Sequence, residues 1–291
     1  MYRIGIIGTE NSHALAFAKI FNTPDLKSGE FRYPDARVVG IYGPDHESEV
    51  NICKQCNIEF VANTPQDFFG KVDAMMITCR KGSVHASYAM PFIEKGIPVF
   101  IDKPFTCDIN EANTLIETAK GLNVPLTGGS GCKYAYDVLA LENHADELKK
   151  NGEFLTGCIN YSADKNSVYD GLYFYAPHLV EMALTIFGYD MQSVKAFERE
   201  NVITVIARYK AYDITMNFTN STNDAACIII GKKDNFYRQI DISTIYALEV
   251  ERFITMLRTG EMPVTYEQLM RHTQVISAIL SSMQTGEETL L

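Results

Sequence analysis

Short apolar runs alternate with helix-period segments through the first ~125 residues, and that alternation admits few folds, chiefly a parallel sheet covered by helices on both faces. RIGIIG, RVVGIYG, DAMMIT, PVFID and VPLTG are the expected strands, with helical patterns near Ala14–Phe21, Glu47–Cys56, Val84–Glu94 and Glu111–Lys120. DAMMIT shows no polar–apolar alternation, as a parallel strand buried on both faces should not. TPDLKSGEFRYPDA, rich in Pro, Gly and charge, reads as a surface loop before the second strand.

After Ser130 the pattern changes. A helical stretch at Tyr136–Lys150 leads into EFLTGCINYSA, NVITVIARYK, DITMNFTN and ACIIIGKK, whose alternation predicts an antiparallel sheet, and two helical patterns, Leu248–Arg258 and Tyr266–Met283, close the chain. The expected α/β architecture is an N-terminal Rossmann-type, doubly wound parallel sheet (residues 1–127) followed by an α+β domain with a mostly antiparallel, open sheet (residues 128–291). A cleft between two such domains is the expected ligand site.

The formal net charge of -10, with no Lys/Arg block, opposes binding to a phosphodiester backbone, so nucleic acid is excluded as a partner. Apolar runs are strand-sized, well short of the ~20 residues that cross a bilayer. MYRIGIIG reads as strand from its start, which predicts a cytoplasmic protein. Seven scattered cysteines fit a reducing compartment. Cys53 and Cys56 form a lone CxxC on a helical pattern, read as two ordinary thiols, and no metal site is expected.

The strand-to-helix turn IIGTENSHALAF is where a dinucleotide-binding fold keeps G-x-G-x-x-G, whose glycines make the turn, admit the pyrophosphate and let helix pack on strand. Here the three positions hold Gly8, Glu10 and His13. A carboxylate ~4 Å from one phosphate charge costs about 4 kcal/mol at an effective dielectric near 20, roughly a thousandfold in affinity. A Glu10 side chain turned elsewhere would leave a helix N-terminus that still attracts an anion, with Asn11, Ser12 and His13 as added donors beside Thr9. Thr9, Asn11 and Ser12 are equally ordinary helix caps. At the end of the second strand, Gly43 and Pro44 stand where a ribose-binding acid is expected. Asp45, slightly further on, either bonds a ribose hydroxyl or caps the next helix.

TCRKGSVHASYAMPFIEKGIPVFIDKPFTCDINEANTLIETAK resembles the glucose-fructose oxidoreductase and inositol dehydrogenase (Gfo/Idh/MocA) family. His85 at a helix start, Gly96 before a strand and Asp-Lys-Pro at 102 to 104 occur in order at the family's spacing, the last usually written Glu-Lys-Pro. The likeness continues through GGSGCKYA and FITMLRTGEMPVTYEQL. It implies an NAD or NADP cofactor, with Gly8, Thr9, Asn11, Ser12, His13, Asp45, Thr78, His85, Asp102 and Lys103 around it. It also implies Lys103 and His178 as the catalytic pair. In YDGLYFYAPHLVEMALTIFG, His178 aligns with the family's acid/base His of D-x-G-x-H, while Phe174 replaces the Asp and Ala176 the Gly. Glu181, one turn on, is expected to orient the ring, and Tyr173 and Tyr175 to offer hydroxyls to substrate. Lys133 aligns where relatives carry a cleft-facing Arg or Lys. Without the resemblance, His178 and His85 are helix-start residues and Lys133 a solvated lysine.

The function implied is hydride transfer between nicotinamide and a hydroxyl carbon of a sugar, cyclitol or related polyol. His178 would take the proton and Lys103 polarise the oxygen. The alternative is a catalytically inactive or regulatory relative that binds a small metabolite without redox turnover. A third reading keeps a tightly held cofactor and uses transient oxidation for elimination or glycoside cleavage. The resemblance also implies a homodimer or homotetramer paired through the open face of the second sheet.

Overall fold

The computed structural model describes residues 1–220 and 224–291. The chain forms two compact units, residues 1–129 with 246–266 and residues 130–245 with 267–291.

The first unit contains β1 (Tyr2–Ile7), α1 (Ser12–Asn22), β2 (Ala36–Tyr42), α2 (His46–Cys56), β3 (Phe60–Val61), β4 (Ala74–Ile77), α3 (His85–Ile93), β5 (Val99–Asp102), α4 (Ile109–Leu122) and β6 (Leu126–Gly129). Its six strands run in the order β3-β2-β1-β4-β5-β6, and every pair is parallel. This is the expected doubly wound sheet, with order reversing between β1 and β4, where open α/β sheets bind ligands at the strands' carboxyl ends. Ile4 and Ile6 of β1 point to one face, where Ala14, Phe17, Ala18 and Phe21 of α1, spaced three or four apart, pack over them.

That same face holds a correction to the expected domain boundary. Val250, Phe253, Ile254 and Met256, from a helix far along the chain, complete the core of the first unit. Phe17 meets Phe100 edge to face at 5.7 Å, and Phe100 meets Phe253 at 5.8 Å. Tyr2 Oη donates to Leu257 O, and Arg258 grips Asp35 through two nitrogens. A single cut after residue 127 therefore does not describe the chain.

The second unit contains α5 (Tyr136–Lys150), β7 (Phe154–Ser162), α6 (Ala176–Phe187), β8 (Ser193–Glu198), β9 (Val202–Arg208), β10 (Asp213–Thr219), β11 (Ala225–Gly231) and β12 (Asn235–Ile240). The returning helix is α7 (Ile245–Thr259), and α8 (Tyr266–Thr285) and β13 (Thr289–Leu290) end the chain. The sheet order is β12-β11-β7-β10-β9-β8-β13, antiparallel except that β7 and β10 run parallel. Alternation sends Ile214, Met216 and Phe218 of β10 inward while Asn217 faces out, bonded to Thr204 and Asn160.

Every residue of α6 except Thr185 is buried, the polar His178 and Glu181 included, so this helix is covered on all sides. Gly157 makes room for it: a Cβ there would stand 2.4 Å from the Phe187 ring. Its last carbonyls, which have no helical partners, are taken by Tyr212 Oη and Lys149 Nζ at Phe187 O and by Tyr209 Oη at Gly188 O. No helix among the described residues is long and apolar enough to cross a membrane.

Candidate functional site

In the first unit the β1–α1 turn closes through Gly8, at φ 110, against the end of β4. A Cβ on Gly8 would lie 2.3 Å from Cys79 N, so glycine is required by close approach as well as by backbone conformation. Thr78 fastens the same junction, its N–H bonding Ile7 O and its hydroxyl reaching Ile7 O and Gly8 O. Asn11 caps α1 by accepting the His13 N–H, and no acidic residue stands in the first turn. Ser12 N–H, at the first helical position, has no intrahelical partner and carries the positive end of the helix dipole.

Glu10, at the second fingerprint position, is turned onto the loop after β4, where Oε1 accepts the Arg80 N–H at 3.0 Å. His13, at the third, is buried, its ring edge-on to Tyr246 at 4.7 Å and Phe17 at 5.9 Å. Its Nδ1 lies 2.6 Å from Asp102 Oδ2, the carboxylate that Asn11 Nδ2 also approaches at 3.4 Å. Asp102 Oδ1 accepts the Lys103 N–H at 2.7 Å. Burial alone would raise the Asp102 carboxyl, but His13 and Lys103 outweigh it and hold the group below the ordinary carboxylate range. Lys103, buried, thus follows a fixed anion at the carboxyl end of β5, on the same sheet edge as the start of α1.

Two of the expected cofactor contacts, Asp45 and His85, have partners within the protein itself. Asp45 is the cap of α2, engaged by Glu47 N–H and the Ser48 hydroxyl, which hold it below its usual pKa. The acid that reaches the end of β2 is Glu49, whose Oε1 accepts Gly43 N–H at 3.0 Å; sequence reading passed over it because it lies six residues on, inside a helix. Thr9 is buried against Gly43, where a Cβ would come 1.8 Å from its Oγ1, so no side chain at position 43 is accommodated. Thr9 Oγ1 has no hydrogen-bond partner among the described residues. His85 is fully buried, with ring nitrogens 2.7 Å from Pro104 O and 2.8 Å from Cys79 O. Burial pushes its pKa down against the pull of those carbonyls and Asp102. The ring clamps the turn that carries Lys103 and exposes no surface to a ligand.

In the second unit His178 lies in the first turn of α6, its ring flanked edge-on by Tyr175 at 5.5 Å and Tyr161 at 5.8 Å. Tyr173 and Tyr175, both half-buried, flank Phe174, the residue that replaces the family's Asp. Glu181 does not orient the ring. Its Oε1 accepts Ser130 N–H at 2.6 Å and its Oε2 meets Lys133 Nζ at 2.5 Å, with His272 Nδ1 3.4 Å from Oε1. Lys133 and Glu181 are both buried, and burial, which would lower the lysine, is outweighed by the carboxylate, so its pKa is raised. Lys133 and Glu181 thus hold the turn after β6 onto α6. The group at His178 Nδ1 is instead Ser130 Oγ, 2.7 Å away, a residue missed although it stands in the quoted GGSGCKYA.

A doubly wound parallel sheet with a helix start at its switch point defines a Rossmann-type unit. Residues 2–130 match the model of the Gfo/Idh/MocA family, described as an oxidoreductase family with an NAD-binding Rossmann fold. The whole chain shares its fold with solved structures. Myo-inositol dehydrogenase from Corynebacterium glutamicum matches at TM-score 0.82 and 17% identity, over 100% of this chain and 99% of that one. Myo-inositol dehydrogenase from Lactobacillus casei, solved with NAD(H) and myo-inositol, gives 0.80 and 15%, over 100% and 97%. The WlbA dehydrogenase from Bordetella pertussis, solved with NADH and UDP-GlcNAcA, gives 0.83 and 15%, over 100% and 97%. No curated protein matches the chain.

The residues present fit a dinucleotide. The first turn of α1 is free of carboxylates, Asn11 and Ser12 stand at its start, and the Glu10 carboxylate is drawn to the Arg80 amide.

Proposed function

We propose that the protein is an NAD(H)-dependent oxidoreductase acting on a hydroxyl carbon of a sugar, cyclitol or related polyol. The observation that carries this reading is buried Lys103 beside ionised Asp102, at the strand end that also receives Asn11 and His13 from the start of α1. When bound, nicotinamide supplies the hydride chemistry. The α1 start would hold the dinucleotide's phosphates. The Lys103 ammonium would hold the substrate oxygen and favour negative charge developing on it. His178 would take the hydroxyl proton, or return it in the reverse direction, as the general base and acid of the two directions. Tyr173 and Tyr175 would offer their hydroxyls and ring faces to the polyol.

Between Gly43 and Cys53 the chain carries Asp45, Glu47 and Glu49 and neither Lys nor Arg, which supports NAD(H) over its 2′-phosphorylated analogue. The outward face of the second sheet, with Phe197 and Tyr237 exposed, supports pairing into a homodimer or homotetramer, to be read by light scattering.

Calorimetric titration with both dinucleotides in both redox forms tests the reading. Sub-millimolar binding supports it. An absence of heat at high ligand concentration overturns it in favour of a metabolite-binding relative. A polyol panel then seeks turnover, with Lys103→Ala expected to lower kcat/KM about 100-fold.

A further inference from the structure

The acid/base histidine of this chain has lost the carboxylate four residues before it, since Phe174 stands there, packed against the rings of Tyr169 and Tyr175. An imidazole without an orienting partner swings about χ1 and χ2 and presents either nitrogen. His178 does have a partner, and it comes from another element. The chain leaves β6 at Gly129, and Ser130 opens the short 3-10 turn Gly131–Tyr134, which it caps by accepting Cys132 N–H on Oγ at 3.2 Å. The same Oγ lies 2.7 Å from His178 Nδ1, and Cys132 Sγ lies 3.4 Å from that nitrogen. The turn is itself pinned to α6, because Ser130 N–H donates to Glu181 Oε1, one helical turn beyond His178. Ser130 is thereby fixed to α6, the helix that carries His178, through two independent bonds.

We propose that Ser130 is the positioning residue of His178, accepting the Nδ1–H so that the neutral ring keeps its lone pair on Nε2. The assignment rests on the reading of His178 as the proton-exchanging group. Ser130 Oγ has two lone pairs; Cys132 N–H occupies one, which leaves the second to accept from Nδ1. The thiol sulfur, a weak acceptor on the same side, shares that proton. Free imidazole in water favours the opposite tautomer, with the proton on Nε2, which would present a donor where a base is required. When substrate gives up its proton the O–H bond breaks, an N–H bond forms at Nε2, and the imidazolium retains its Nδ1–H on Ser130. A hydroxyl thus takes over the orienting half of the missing carboxylate's work and supplies no countercharge.

Nitrogen-15 NMR of the full chain with labelled histidine decides this without any ligand. The His178 signals are assigned by their disappearance in His178→Gln. Across a pH series, on the alkaline plateau where the His178 shifts no longer change, Nδ1 is expected to be protonated and Nε2 to show the shift of a bare ring nitrogen. Ser130→Ala, which keeps the backbone bond to Glu181, is expected to move His178 to the Nε2–H form and to lower kcat about tenfold with KM within about threefold. A wild-type ring already protonated at Nε2, or a tautomer unchanged in Ser130→Ala, overturns the proposal. If Ser130→Ala does not fold, the wild-type spectrum alone decides. A protein that binds no dinucleotide but shows the Nδ1–H tautomer defeats the proposed reaction and leaves the positioning bond standing.

Discussion

Replacing Glu181 with Gln keeps the size of the side chain and an oxygen for Ser130 N–H, but leaves the Lys133 ammonium in a site where the two side chains are 4% and 5% exposed. Removing one partner of a buried ion pair costs about 3–5 kcal/mol. A ceiling follows from proton release: Lys133 can escape by becoming neutral, at about 1.4 kcal/mol per pH unit below an ordinary pKa of about 10.4, or about 4 kcal/mol at pH ~7.5. With a urea slope of about 2 kcal/mol per molar, the midpoint of the transition should fall by about 1.5–2 M. The native pair leaves no slope of its own over neutral pH, because the raised lysine pKa puts its loss above the unfolded value of about 10.4. In the variant the folded state binds fewer protons than the unfolded state, so its stability climbs with pH and the deficit shrinks by about 1.4 kcal/mol per unit. Urea unfolding followed by circular dichroism at several pH values between about 7 and 9 measures both. The double variant Lys133→Met/Glu181→Gln should recover most of the loss. A deficit under about 1 kcal/mol, or one independent of pH, would refute the buried-pair account.

Other substitutions separate the remaining assignments. Glu10→Gln keeps an acceptor for Arg80 N–H and should change the NAD(H) dissociation constant less than about threefold by calorimetry; a tenfold gain would mean that the carboxylate opposes the phosphates. NAD(H) should bind at least about tenfold tighter than its 2′-phosphorylated analogue, and Glu49→Gln should narrow the ratio; equal affinities for both in the wild type would contradict the role of this acidic segment. His272 is fully buried and its pKa is depressed by burial, despite the pull of Glu181. Its share of stability is present above the unfolded pKa of about 6.5 and is lost as pH falls toward the folded value, with a slope of up to about 1.4 kcal/mol per unit. His272→Gln should flatten the urea midpoint between pH ~6.5 and ~5, and an unchanged slope would show that the ring is already charged in the folded protein.

Periodicity made five strands of the wound sheet legible, because strands buried on both faces and helices buried on one stripe have different repeats, whereas the two-residue β3 is too short to leave a pattern. It located α7 as a helix but not its destination, since an apolar stripe such as Phe253 and Met256 says that something is covered and not what. The edge strand β12, NFYRQI, was passed over because its exposed positions do not alternate. At the site, Asp-Lys-Pro located Lys103 at a strand end, and β5 does end at Asp102. His13 was read as a lost glycine, whereas its ring fills space between α1, β5 and α7 and finds the Asp102 carboxylate. Glu181 lies one turn from His178 on the same helix, and proximity in sequence suggested the wrong partner. Its true partners, Ser130 and Lys133, are about 50 positions away, and long-range pairs leave no periodic trace.

The return of α7 imposes an order on biosynthesis. The apolar face formed by Ile4, Ile6, Phe17 and Phe100 is complete as sequence by Gly129, yet its lid residue Phe253 is translated about 120 residues later, some 6–25 s at ~5–20 residues per second. Throughout that interval the nascent sheet shows a bare greasy surface to the cell. A growing chain of this design is therefore a natural client for a chaperone acting at the ribosome, and a fragment ending at residue 129 should clump where the full chain stays dispersed.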